Sequence, residues 1–79
     1  MATFVGVERL KNSVNGNGRF RLTTKDGYKV ETATDSSCAW DVENAYGDLQ
    51  SGAEVIAAVE YNGRGKLTRF TVIAVQEHV

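Results

Sequence analysis

The chain has 79 residues, 42% apolar and 24% charged, with a net charge of −1, no proline and a single cysteine, Cys38. That length holds one domain, 1–79, around one modest core, and the lone cysteine excludes an internal disulfide and suits a reducing compartment. No apolar run approaches a membrane span and Met1-Ala2-Thr3-Phe4 lacks the order of a secretory signal, so a cytoplasmic protein with no membrane partner is expected.

Residues 3–11 are rich in strand formers and read as the first strand. The two Asn-Gly pairs in 12–18 mark a turn or flexible loop. Arg19 to Thr24 alternates, with Phe20, Leu22 and Thr24 on one face, and Tyr28 to Thr34 alternates again, with Tyr28, Val30 and Thr32 together. Lys25-Asp26-Gly27 between them fits a three-residue hairpin loop in which Gly27 takes the left-handed position. That loop pairs Leu22 with Val30, Phe20 with Thr32 and Arg21 with Glu31, whereas a two-residue loop would mix the faces.

The period then changes. Cys38, Val42, Ala45 and Leu49 form one helical stripe, Ser36 or Ser37 offers an N-cap and Gly47 a stop, which predicts a short helix at about 37–47 with Trp40 and Tyr46 closing one end of the core. Glu54 to Tyr61 reads as the fourth strand, Asn62-Gly63-Arg64-Gly65 as its turn and Lys66 to Val75 as the fifth. Pairing Tyr61 with Lys66 gathers Val55, Ala57, Val59, Tyr61, Phe70 and Val72 on the core face. Ile56, Ala58, Leu67 and Ile73 are left on the other, an apolar strip that asks for a covering surface.

Three strands, a helix and two strands in under eighty residues resemble the OB-fold, a five-stranded barrel whose helix lies between the third and fourth strands. Leu49-x-x-Gly52-x-x-Val55-x-x-x-Val59-Glu60 is similar to the approach to strand four in cold-shock and other nucleic-acid-binding OB domains. The Asn/Gly-rich first loop and Asp26-Gly27 also sit where a cold-shock domain has comparable elements. The family's paired aromatic motifs are missing, because Arg19-Phe20-Arg21-Leu22 holds one aromatic. The expected fold is therefore mainly β, a small five-stranded OB-like barrel with one helix. An SH3-like barrel is the alternative, and would gain if Cys38 to Glu43 were a strand.

Catalytic constellations are absent from the pattern. Cys38 falls on an apolar helical stripe, and His78, the only histidine, lies at the chain's end. One cysteine and one histidine do not make a zinc site, Asp41 and Glu43 point apart on a helix, and Gly16-Asn17-Gly18 and Gly63-Arg64-Gly65 lack the strand-to-helix context of phosphate loops. No enzyme, cofactor, metal or small-molecule substrate is expected.

Two binding functions remain. Charge is segregated: Arg9 to Lys29 holds six basic residues and one acid, and Glu31 to Glu60 holds seven acids with no lysine or arginine. The OB resemblance places the ligand surface on strands two and three and the 1–2 and 4–5 loops. That surface would take in Lys11, Arg19, Arg21, Lys25, Lys29, Arg64, Lys66 and Arg69, a basic set able to hold single-stranded DNA or RNA, with Tyr28, Tyr61 or Trp40 to stack on bases. The preferred reading is a protein-interaction module that docks through Ile56, Ala58, Leu67 and Ile73 to another protein or to itself as a homodimer. The small size also fits a phage-type or accessory protein attached to a larger host assembly.

Overall fold

The computed structural model describes residues 1–77; His78 lies outside the described residues. The elements run β1 (Ala2–Leu10), β2 (Arg19–Thr24), β3 (Lys29–Glu31), α1 (Cys38–Gln50), β4 (Glu54–Tyr61) and β5 (Leu67–Gln76). The five strands form one antiparallel sheet in the order β3-β2-β1-β4-β5, with one helix packed on it. No helix among the described residues is long and apolar enough to cross a membrane.

β1 is the hinge of this sheet. Its N-terminal end pairs with β4, Ala2 opposite Ala57 and Phe4 opposite Val55, and its C-terminal part pairs with β2 up to Leu10 opposite Arg19. The β2 pairing itself crosses a bulge between Phe4 and Gly6, and Phe4, opposite Thr24 on one side and Val55 on the other, is where the two runs overlap and the strand bends. The β2–β3 hairpin takes the expected register, with Leu22 opposite Val30 and Arg21 opposite Glu31. Gly27 sits at φ +94° in the three-residue loop. Thr32 continues the pairing: its N–H donates to the Phe20 carbonyl and its hydroxyl oxygen accepts the Phe20 N–H, which satisfies a side chain that is otherwise buried. The two outer strands approach at one place. Thr32 and Leu67 form a single parallel bridge, and the Ala33 N–H donates to the Leu67 carbonyl at 2.8 Å.

The helix starts as expected and ends later. Ser37 is the N-cap and makes no side-chain cap bond; the Ser36 hydroxyl oxygen accepts the Cys38 N–H and donates to the Thr68 carbonyl, so the residue before the cap ties the helix start to β5. Gly47, expected to stop the helix, lies inside it. The stop is Gly52 at φ +93°, with the Gly52 N–H bonded to the Leu49 carbonyl and the Ala53 N–H to that of Asp48, the two bonds of a Schellman ending. The stripe Cys38, Val42, Ala45 and Leu49 is buried, against Phe4, Phe20, Leu22, Val55, Ala57, Leu67 and Phe70. Tyr46 packs beside this core, but Trp40, expected there too, is 76% exposed. It precedes the buried Val42 by two positions, which turns it off the stripe.

The β4–β5 hairpin departs most from expectation. Its loop is one residue shorter than expected: Asn62 donates from its N–H to the Lys66 carbonyl, and Tyr61 lies opposite Leu67. The Asn62 side-chain oxygen accepts the N–H groups of Arg64 and Lys66, and Gly65 adopts φ +76°, which fixes the tight turn. Two bulges follow. Between Glu60 and Tyr61 the extra residue is Thr68, and between Ile56 and Ala57 it is Ile73. The first turns Leu67 and Phe70, three apart, onto the same buried face. Leu67, expected on the outer strip, is thus a core residue at 0% exposure, and Val72, expected in the core, is 41% exposed.

Candidate interaction surfaces

The basic residues come together only in part, and where they do they meet acids. β2 and β3 bring Arg19 and Arg21 to Glu31, at 3.4 and 3.0 Å, and the start of the β5 hairpin brings Lys66 to the same carboxylate at 3.2 Å. Arg21 also reaches Glu8 on β1 at 3.0 Å. These donors hold the Glu31 carboxyl below its ordinary value, Arg21 contributing most and Lys66 next; Glu31 in turn raises the Arg21 guanidinium. Lys25 pairs with Glu54 at 3.0 Å, and Arg69 with Glu60 at 3.1 Å across the β4–β5 ladder. Lys11, Lys29 and Arg64 form no ion pair among the described residues, and all three are exposed. The set read as a phosphate track is a face on which five of eight cations already have carboxylate partners.

The apolar strip is likewise redrawn. Ile56 and Ala58 are half-buried on β4, Ile73 is 55% exposed on β5, and Leu67 has left for the core. On the other side of the sheet two residues that sequence reasoning missed as surface, Val72 and Val75, are 41% and 39% exposed. They lie opposite Ala57 and Val55 and so share the core side of the sheet, but β5 is an edge strand and no strand among the described residues flanks them on the outside. The one signal available in the sequence was the run from Thr71 to Gln76, six residues without a charge.

A third feature was not anticipated, an open groove of about 520 Å3 between the β1–β2 loop and the start of α1. Asn12, Asn17, Asp35, Trp40 and Glu43 line it. Asp35, at φ +57°, accepts hydrogen bonds from Asn17, Ser13 and Asn15, each at 2.7 Å, and these hold its carboxyl below the ordinary value. The loop expected to be a flexible turn is therefore pinned to the strand-to-helix connection by one carboxylate. Arg9 closes the groove's floor, stacked over Phe20 and Tyr46 at 5.0 and 4.7 Å and paired with Glu43 at 3.1 Å.

Cys38 donates its thiol to the Leu67 carbonyl at 3.1 Å, and burial pushes that thiol above its ordinary value. A thiol kept neutral in this way is a packing group. No family model, curated protein or solved structure gives a significant match to this chain.

Proposed function

We propose that the chain is a non-enzymatic protein-interaction module of OB-like form, a small accessory domain that docks to a protein surface in the cytoplasm. One observation carries it: β5 offers an edge of six uncharged residues, Thr71 to Gln76, with Val72, Ile73 and Val75 exposed. An edge of that length and composition is an adhesive surface, suited to receiving an added strand. The OB-like form is supported by the strand order, by the helix between β3 and β4, and by the approach of β3 to β5 at Thr32 and Leu67. Helical structure at Cys38 to Glu43 weighs against the SH3-like alternative.

Binding of single-stranded DNA or RNA draws less support, because carboxylates compete with phosphate for Arg19, Arg21, Lys25, Lys66 and Arg69. Titrating labelled single-stranded DNA and RNA with the protein, followed by fluorescence anisotropy at low and high salt, separates the two. The docking reading expects no binding tighter than about 10 μM even at low salt. Micromolar binding that weakens steeply with salt, and that is lost in the double variant Arg19→Glu with Arg21→Glu, overturns it.

A further inference from the structure

Three asparagines stand directly before a glycine: Asn15, Asn17 and Asn62. Asparagine is thermolabile, and most of all before glycine, whose missing Cβ leaves its nitrogen open to attack the neighbouring side chain. That nitrogen adds to the asparagine carbonyl carbon, ammonia leaves, and water opens the cyclic imide that results. By sequence the three pairs are alike. The fold gives them different surroundings.

At Asn15 and Asn17 the surroundings oppose the reaction. The amide nitrogen that must leave donates in each to the Asp35 carboxylate at 2.7 Å, and that bond has to break. The same carboxylate stands beside a carbonyl that turns into an oxyanion under attack, and a like charge at that range raises the barrier. At Asn15 the attacking group is engaged as well, because the Gly16 N–H donates to the Ser13 carbonyl at 2.9 Å. Asn62 is arranged the other way round. Its Oδ1 accepts the N–H groups of Arg64 and Lys66 at 2.8 and 3.0 Å. Two backbone donors aimed at an oxygen that becomes negative make an oxyanion hole. Neither the Asn62 amide nitrogen nor the Gly63 N–H has a hydrogen-bond partner among the described residues, and both residues are exposed.

We infer that Asn62-Gly63 is a site of self-modification, losing ammonia and taking up water to give aspartate or isoaspartate at that position ahead of the other two pairs. The Gly63 nitrogen bonds to Asn62 Cγ as the Cγ–Nδ2 bond breaks, and the Gly63 N–H proton departs with the nitrogen as ammonia. Water then cleaves one of the two imide C–N bonds, at Cγ to leave aspartate or at the main-chain carbonyl to leave isoaspartate. No oxidant or reductant takes part. The two products differ in consequence. Aspartate keeps an oxygen for the Arg64 and Lys66 N–H groups. Isoaspartate routes the backbone through the side chain, lengthens the turn by one carbon and removes the acceptor that holds it where Tyr61 meets Leu67.

Peptide mass spectrometry of the full chain, held at mildly alkaline pH and sampled over weeks, tests this. The exchange of amide for carboxylate should run at Asn62 at least about tenfold faster than at Asn15 or Asn17. In guanidinium chloride the three rates should converge, since the surroundings that rank them are gone. Gly63→Ala should slow the reaction at Asn62 at least about tenfold, and should leave the turn intact, because the added Cβ meets nothing within 4 Å. Asp35→Asn should speed Asn15 and Asn17 and leave Asn62 unchanged. Conversion of Asn15 or Asn17 as fast as Asn62 in the folded chain overturns the assignment. So does the same ranking in denaturant, which would trace it to sequence alone. An Asn62 amide that outlasts the incubation in the folded chain, while the unfolded chain converts, overturns it too.

Discussion

The two edges of one small sheet are built on opposite principles. At the β3 edge the chain runs for only three paired residues, and Glu31 there collects Arg19, Arg21 and Lys66 around one carboxylate. At the β5 edge six residues pass without a charge, and Val72, Ile73 and Val75 stay exposed. The β3 edge carries a charge at two of its three positions and the β5 edge carries threonine, valine and isoleucine, so the two differ in what each offers to a neighbour. Charges that already have partners neither attract phosphate strongly nor invite a strand, whereas an uncharged edge does the second. The β5 edge is therefore the surface that the chain's own described residues leave unfinished.

The sharpest way to break this comparison is to exchange expectations between two apolar residues of β5. Leu67 is fully buried and Ile73 is 55% exposed. Leu67→Ala should cost about 2–5 kcal/mol through lost burial and a residual cavity, and Ile73→Ala less than about 1 kcal/mol. Urea unfolding of the two variants checks it. Equal costs would mean that the bulge at Thr68 does not turn Leu67 inward, and the strip of Ile56, Ala58, Leu67 and Ile73 would return as the docking face.

That pair also marks where the sequence stopped being legible. The β2–β3 register could be read from Phe20, Leu22, Val30 and Thr32 because alternation on both strands and one glycine leave a single loop length that keeps the faces pure. The helical stripe was legible for the same reason. The β4–β5 pairing was not, since two bulges break the two-residue period and no local residue announces them. Trp40 was misplaced because an aromatic was assumed to seek the core, and the groove beside it depends on Asp35 meeting Ser13, Asn15 and Asn17 about twenty residues away, a tertiary contact with no sequence period.

The helix end gives an intermediate case with a prediction of opposite signs. Both Gly47 and Gly52 look like stops, but only Gly52 has a positive φ, of +93°, and Gly47 has open space around the position a Cβ would take. Gly52→Ala should therefore destabilise by about 1 kcal/mol, through the left-handed position it must hold. Gly47→Ala should stabilise by up to about 1 kcal/mol, the propensity gained inside a helix. Thermal unfolding of the two variants should move the melting temperature in opposite directions. Two shifts of the same sign would place the helix end back at Gly47.

The smallest expected effect concerns the guarded edge. Removing one carboxylate by Glu31→Gln strips a common partner from Arg19, Arg21 and Lys66, at a cost of about 1 kcal/mol for partly exposed pairs. Acid should do the same to the native chain. In the folded protein the Glu31 carboxyl is held below its ordinary value of 4.5, so the unfolded chain binds its proton more readily. The stabilisation is then complete above that ordinary value and is lost as pH falls through the lower, folded one. Urea midpoints measured between neutral pH and pH 3 should converge for the wild type and Glu31→Gln as the pH drops. Midpoints separated by a constant amount throughout would mean that Glu31 contributes by packing rather than by charge. The same variant leaves Arg19 and Lys66 without a carboxylate partner while Arg21 keeps Glu8, so it probes the contrast from the other side: if Glu31 competes with phosphate for these cations, Glu31→Gln should bind single strands more tightly than the wild type, and equal binding by both would count against that competition.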